Sequence, residues 1–427
     1  MRAPFDRTHT EDLMGFLTSS PSPYHAAATA AARLEKAGFR QVEETAAWDG
    51  GTGGRFVVRG GAIIAWYVPE GASAATPFRI IGAHTDSPNL RVKPVPDTGR
   101  AGWKQVAVEI YGGTLLNTWL DRDLGLSGRL ALRDGSSVLV SVDRPLLRVP
   151  QLAVHLDRGV NDGLKLDRQQ HMQPVWGIGT PCEGELVEFL AAEAGVGPGE
   201  VAGWDVMCHS VDAPAFLGRD RELLAAPRLD NLLSVHAGVS ALVAAAAVPS
   251  PACVPVLAAF DHEEIGSLSD TGAQGPLLGT VLERSVDARG GGLQERARAL
   301  AGSVCLSSDT GHAVHPNYPE RHDPGHHPVP GGGPLLKTNV NQRYATDARG
   351  RSLFLAACER AGVPWQPFVS NNAVPCGTTI GPITAARHGI ATVDVGAAIL
   401  SMHSARELCS VDDPHHLANA MTAFLTS

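Results

Sequence analysis

Lysine occurs only five times in the 427 residues, aromatic side chains make up 5% and charged ones 19%. The 30 arginines are scattered and the formal net charge is −9, so there is no basic stripe to follow a phosphate backbone. Nucleic acid is therefore excluded as the expected partner. The seven cysteines (182, 208, 253, 305, 358, 376 and 409) contain no C-x-x-C pair, and their odd number and wide spacing argue against a disulfide framework or a thiolate zinc site. They read instead as small buried hydrophobes. With neither a Walker loop nor a G-x-G-x-x-G after a strand, a nucleotide-binding reading has little support. The longest near-apolar run, 232–248, is barely of spanning length and is interrupted by Ser234, His236 and Ser240. It predicts a buried helix, and no membrane partner is expected. The opening MRAPFDRTHTEDLMGFL carries acids early and has no apolar core with a small-residue cleavage site, so the expected compartment is the cytoplasm.

What is present points to a sizeable core: 44% of the residues are hydrophobic, over a length sufficient for one large domain or two ordinary ones. Residues 9–38 predict a helix interrupted by a turn, with Thr10 capping the first segment, SSPSP breaking it and Gly38 stopping the second. RFVVRGGAIIAWYVP predicts two strands around a Gly-Gly turn, and FRIIGAH a third. VPVLAAFD (254–261), SVCLSSD (303–309) and ATVDVGAAILSMH (391–403) have buried-strand character and alternate with helical stretches such as LLSVHAGVSALVAAAA and GRSLFLAACERAG. That alternation predicts an α/β fold with a mostly parallel central sheet flanked by helices. Residues 95–225 differ, with short alternating runs, DG and GG turns and one helical stretch, ELVEFLAAEAG. They predict a β-rich domain inserted between a first α/β part, 1–94, and a second, 226–427. HAVHPNYPERHDPGHHPVPGGGP (312–334) reads as a loop, and long Pro-rich loops in compact domains are often functional.

Polar groups fall at the ends of the expected strands. FRIIGAH ends in His84 and is followed by Asp86; VPVLAAFD is followed by Glu263 and Glu264; SVCLSSD ends in Asp309; the last apolar run ends at His403. Ligand sites of open α/β sheets gather at strand carboxyl ends. Taken singly, each residue has an ordinary reading: a loop hydrogen bond for His84 and Asp86, acids in a helix's first turn for the two Glu, an N-cap for Asp230, a turn cap for Asp309, a core histidine for His403. Taken together they suit a divalent metal centre of imidazole and carboxylate ligands, with one Glu left free to move a proton and Asp86 able to orient His84. The chemistry expected of such a centre is hydrolysis.

GAHTDSPNLRVKP (82–94), YGGTLLNTWLDRDLGLSGR (111–129), RLDN (228–231), FDHEEIGS (260–267), SSDTGHAVHPNY (307–318), LKTNVNQRYATD (336–347), CGTTIGPI (376–383) and MHSARELCSVDD (402–413) resemble, in this order and over nearly the whole chain, the M18 family of metallopeptidases, the aspartyl aminopeptidases. The resemblance implies two divalent metal ions per subunit, zinc first with cobalt or manganese as alternatives. His84 and Asp309 would hold one ion, Glu264 and His403 the other, and Asp230 would bridge them. It further implies Glu263 as general base, Asp86 as orienter of His84, His312 and Lys337 as substrate contacts, and His155 as a group reaching a neighbouring subunit's site. Lys337 is the charge expected to select peptides with N-terminal Asp or Glu. The β-rich insert would serve dimerisation, in a homo-oligomer of twelve subunits built from dimers. Two other readings stay open: the same centre acting as a broad aminopeptidase or deacylase, and a catalytically silent peptide-binding or shell protein. All six ligand and base positions carry competent groups, which weighs against the silent reading. His322, His326 and His327 read as part of a solvated loop rather than as an accessory metal site.

Overall fold

A strand that is apolar at every position is stable only when both its faces are covered. Val254–Phe260 is such a strand, buried throughout its length in a nine-stranded sheet. The computed structural model describes residues 7–427, so the first six residues of the segment read for a targeting signal lie outside the described residues. At the centre of the sheet Val254–Phe260, Phe78–His84, Val304–Ser308 and Ala391–Gly396 run parallel, which brings their carboxyl ends side by side. The hairpin Gly53–Arg59 and Ala62–Val68 extends one side antiparallel. Leu335–Lys337 and Gln366–Phe368 extend the other.

Successive side chains of the central strands enter two different cores. Leu257 and Ala259 pack with Leu34, Leu232, Phe354 and Phe424 of the helices Pro23–Lys36, Leu229–Ala247, Ala348–Ala361 and Asp413–Leu425. Val256, Ala258 and Phe260 pack with Leu278, Ala299 and Ile380 of Leu277–Ala288, Leu293–Gly302 and Ile380–His388. Each fully buried Leu or Phe contributes roughly 1.5–3 kcal/mol, so the two layers of helices hold the strand ends rigidly in place. Leu229–Ala247 is the one described helix long and apolar enough to cross a bilayer, and it is buried in the first of these cores.

The opening helix is broken at SSPSP as expected, but its caps are different residues. Thr10 lies inside the helix Thr8–Thr18 and donates its hydroxyl to Val411 O at 2.7 Å instead of capping. Ser22 caps the second helix, accepting from His25 N, with Pro23 in the first turn where a missing N–H costs nothing.

The insert is a six-stranded antiparallel sheet around its own core of Leu90, Val108, Leu126, Leu130 and Val206. A strand runs through each of the two expected divisions. The strand Asn89–Arg100 runs through the 94/95 division, because the polar turn after His84 is only four residues long and pairing resumes at once. At the other end the insert's last strand is Val201–Ser210, while Ala215–Leu217 and Leu223–Ala226 pair into a third sheet with Glu407–Ser410, Ala398–Leu400 and Gly311–His312. The run 391–403, expected as one strand, is split between two sheets for a related reason. At Gly396 the backbone lies so close to Asp309 that a Cβ would fall 1.6 Å from its carbonyl oxygen, and beyond this point the chain joins the third sheet.

Candidate metal centre

His84 is the last residue of Phe78–His84, Glu263 and Glu264 open the short turn after Val254–Phe260, and Asp309 follows Val304–Ser308 directly. Because these three strands are parallel, their side chains project from one edge of the sheet. Asp230 joins them from the start of Leu229–Ala247. The ordinary reading of Asp230 as an N-cap does not apply: Arg228 holds that position with φ 59°, and Asp230 keeps a non-helical φ of −81° and ψ of 103° that turns it toward the strand ends. His403 arrives from the turn after Ala398–Leu400, with φ 66°.

The groups meet closely. His84 Nε2 lies 3.4 Å from Asp230 Oδ1, 3.5 Å from Asp309 Oδ1 and 4.0 Å from Glu263 Oε2. His403 Nε2 lies 3.4 Å from Asp230 Oδ2 and 3.3 Å from Glu264 Oε2. Asp230 thus turns one oxygen to each imidazole. Asp86 is occupied otherwise: its carboxylate accepts from Glu263 N and Glu264 N, both at 3.1 Å, and from Tyr111 Oη at 2.7 Å, while facing His84 Nδ1 at 3.4 Å. With Asp86 O also 3.0 Å from Nδ1, the His84 ring is held so that Nε2 faces the cavity.

Five carboxyl groups here face two imidazoles, and the protonation equilibria reflect the imbalance. Burial, together with Asp309, Asp86 and Asp230, pushes Glu263 up to about 8. Burial and Asp230 hold Glu264 well above the ordinary carboxyl value. Burial opposes the charge on His403, but Asp230 and Glu264 outweigh it and raise the imidazole to about 10. Without added cations the cluster therefore retains protons. Asp230 Oδ1 is also buried without a hydrogen-bond partner. Three ligand groups, His84/Asp230/Asp309, Asp230/Glu264/His403 and His84/Glu263/Glu264, have donor atoms within 4.8 Å of one another. An orphaned carboxylate oxygen inside an excess of N and O donors suits divalent ions sharing Asp230, and Zn, Co and Mn all accept this donor set.

The cluster lines a cavity of about 440 Å³ that also receives His312 and Lys337. Lys337 is 1% exposed, and its Nζ donates to Thr310 O at 2.6 Å. Among the described residues no carboxylate oxygen lies within 4.0 Å of it. His312 is open to solvent, and crowding by the surrounding protein together with the Lys337 charge holds its imidazole below the ordinary value. His155 is not brought to this cavity; it sits on an exposed turn of the insert.

Sequence reasoning missed three supports. Tyr111 closes the insert strand Trp103–Tyr111 and anchors Asp86. The next two residues, Gly112 and Gly113, pack against the ligands: a Cβ on Gly112, at φ 71°, would meet Glu264 Cβ at 3.1 Å, and one on Gly113 would meet His403 Nδ1 at 3.0 Å. Gly113 O lies 3.1 Å from that same Nδ1. The third support is Glu407, buried in Glu407–Ser410, which accepts from Asp230 N at 3.0 Å and His403 N at 2.8 Å. A single acid in a short strand leaves no local signal for such a role. Glu407→Gln presents an amide NH₂ to one of those N–H groups, and metal affinity is expected to fall about 10–100-fold. A competition titration against a chelator measures this, and unchanged affinity would remove Glu407 from the support of the site.

A family model described as the aminopeptidase I zinc metalloprotease family, M18, matches residues 16–425. A Streptomyces avermitilis protein named "Probable M18 family aminopeptidase 2" is 73% identical over 424 residues, covering 99% of this chain and 98% of its own. A Mycobacterium leprae protein of the same name is 50% identical, covering 97% and 98%. Among solved structures, the S. cerevisiae mApe1 dodecamer is similar with a TM-score of 0.84 and 29% identity, over 98% of this chain and 96% of that one.

Proposed function

The chain belongs to the M18 family of zinc metalloproteases, and from that premise we propose that this aminopeptidase is dinuclear and releases N-terminal Asp and Glu from peptides. Two divalent ions held in the cavity would supply Lewis acidity and a lowered pKa for the attacking water. On this reading His84 and Asp309 hold one ion, Glu264 and His403 the other, and Asp230 is shared. Glu263 Oε2, which faces His84 without a hydrogen bond to it, takes the proton of the attacking water and returns it to the leaving amine. Its carboxylate stands in the cavity wall within reach of a water between the two ligand groups, which is the geometry that both halves of the transfer need. Asp86, with both oxygens engaged, holds His84 and the Glu263–Glu264 backbone in position.

The observation that carries the acidic preference is Lys337. A buried lysine in the wall of the reaction cavity, with no carboxylate oxygen within 4.0 Å among the described residues, gains most from a substrate that brings a carboxylate. His312, in the wall of the same cavity, is read as a second substrate contact. The test is the release of Asp, Glu, Ala, Leu and Lys from aminoacyl reporters by protein stripped with chelator and resupplied with Zn, Co or Mn. Metal-restored cleavage confined to Asp and Glu is the expected result, and a preference for neutral residues would favour the broad-specificity reading. Lys337→Met keeps the apolar stem and removes the charge. It should lower the Glu-to-Leu ratio of kcat/KM by about 100-fold or more, and an unchanged ratio would place the selectivity elsewhere.

We also propose a homo-oligomer in which the insert mediates dimerisation. Support comes from the relative solved as a dodecamer and from the exposed Leu152, Val154 and Leu156 that flank His155. Their exposure fits His155 being delivered to a neighbouring copy.

A further inference from the structure

Beside the metal-bearing cavity lies a second one of about 470 Å³, and His312, Tyr344 and Gly377 are walls of both. We propose that this second cavity binds the side chain of the substrate's second residue, accepting an aromatic or other large apolar group and rejecting a lysine. The inference deepens the aminopeptidase reading and rests on it. Lys337 lines only the metal-bearing cavity, so the first side chain and the scissile bond are accounted for there. The peptide must continue past the scissile bond, and the adjoining space is reached through the shared walls.

The chemistry of the second cavity sets what it takes. Phe368, Val374, Ile399 and Leu400 give it an apolar lining, to which Tyr344 adds a buried ring. None of its lining residues is an Asp or Glu, whereas Arg321 and the imidazoles of His315 and His322 stand at its wall. A cationic side chain would lose hydration there and gain no counter-charge.

The wall is built by the His- and Pro-rich segment. His322 Nε2 accepts from His315 N at 3.0 Å, and Val314 N donates to Pro328 O at 2.8 Å. Asn371 Nδ2 then ties the loop across the cavity, donating to Glu320 O and His322 O, each at 3.1 Å. His326 bonds to Asp323 at 2.7 Å, and none of the three described ligand groups includes a histidine of this loop. The loop is therefore a folded partition beside the centre.

The test uses the metal-loaded full chain and the peptides Asp-Phe-Gly-amide, Asp-Ala-Gly-amide and Asp-Lys-Gly-amide, following free Asp. Asp-Phe is expected to exceed Asp-Ala in kcat/KM by about tenfold, with Asp-Lys below both. Val374→Asp adds a carboxylate to a partly exposed wall position and should raise the Lys-to-Phe ratio of kcat/KM by about tenfold or more. Arg321→Glu should shift the ratio in the same direction, so a folding defect in one variant does not decide the outcome. Release of Asp at equal rates from all three peptides, or a ratio that neither variant moves, would overturn the proposal while leaving the aminopeptidase reading intact. No Asp release from any peptide would overturn the acidic preference, and the same comparison with Leu-Phe-Gly-amide, Leu-Ala-Gly-amide and Leu-Lys-Gly-amide then decides the second cavity.

Discussion

Replacing Glu263 by Gln should leave fold and metal content intact and lower kcat by about 10²–10⁴-fold. The side chain is half-buried in the cavity and its backbone N–H is held by Asp86, so an amide of the same shape keeps the packing and the position. What it cannot do is accept a proton from water and deliver it to an amine. Glu264 is one residue away but faces His403 Nε2 at 3.3 Å, on the other side of Asp230, and so does not substitute. The measurement is steady-state turnover of an acidic aminoacyl reporter beside elemental analysis of the same sample. Normal turnover with full metal content would remove Glu263 as the proton carrier; lost turnover with lost metal would make it a ligand instead.

Asp230→Ala should release both ions together. Within 4.0 Å, Asp309 and Glu263 face His84 and Glu264 faces His403, whereas Asp230 faces both imidazoles at 3.4 Å. Removing it leaves each half of the centre with one imidazole and too little carboxylate charge. Asp309→Ala, by contrast, should weaken one half. Elemental analysis of the two variants separates the cases: near-zero metal in Asp230→Ala and about half in Asp309→Ala is the expected pair. Full occupancy in Asp230→Ala would rule out the shared role.

The strand-end residues were legible in the sequence because a parallel sheet brings its carboxyl ends to one edge, and His84, the Glu263–Glu264 pair and Asp309 each follow an apolar run with a sharp end. Asp230 was legible as a polar group before an apolar helix, but not its backbone: an Asp in that position reads as a cap, and only tertiary packing turns it toward the strands. His403 was located by its run, yet the run hides a change of sheet at Gly396, whose cause is the proximity of Asp309. The insert's texture was visible, but not its edges, since Asn89–Arg100 begins within the segment that also carries His84 and Asp86. Glu407 and Tyr111 were out of reach for a simpler reason: the Asp230 backbone that Glu407 holds is 177 residues away and the Asp86 that Tyr111 anchors is 25 away, and neither pair shares a pattern.

The corner at Tyr111, Gly112 and Gly113 touches both halves of the centre, steadying His84 through Asp86 and His403 through the Gly113 carbonyl. A chimaera that exchanged this insert for that of a relative would therefore inherit or lose both imidazole orientations as one unit. A graft whose strand entered the corner one residue out of phase would move the tyrosine hydroxyl and the carbonyl together, and no repair made at only one of the two histidines would restore the pair.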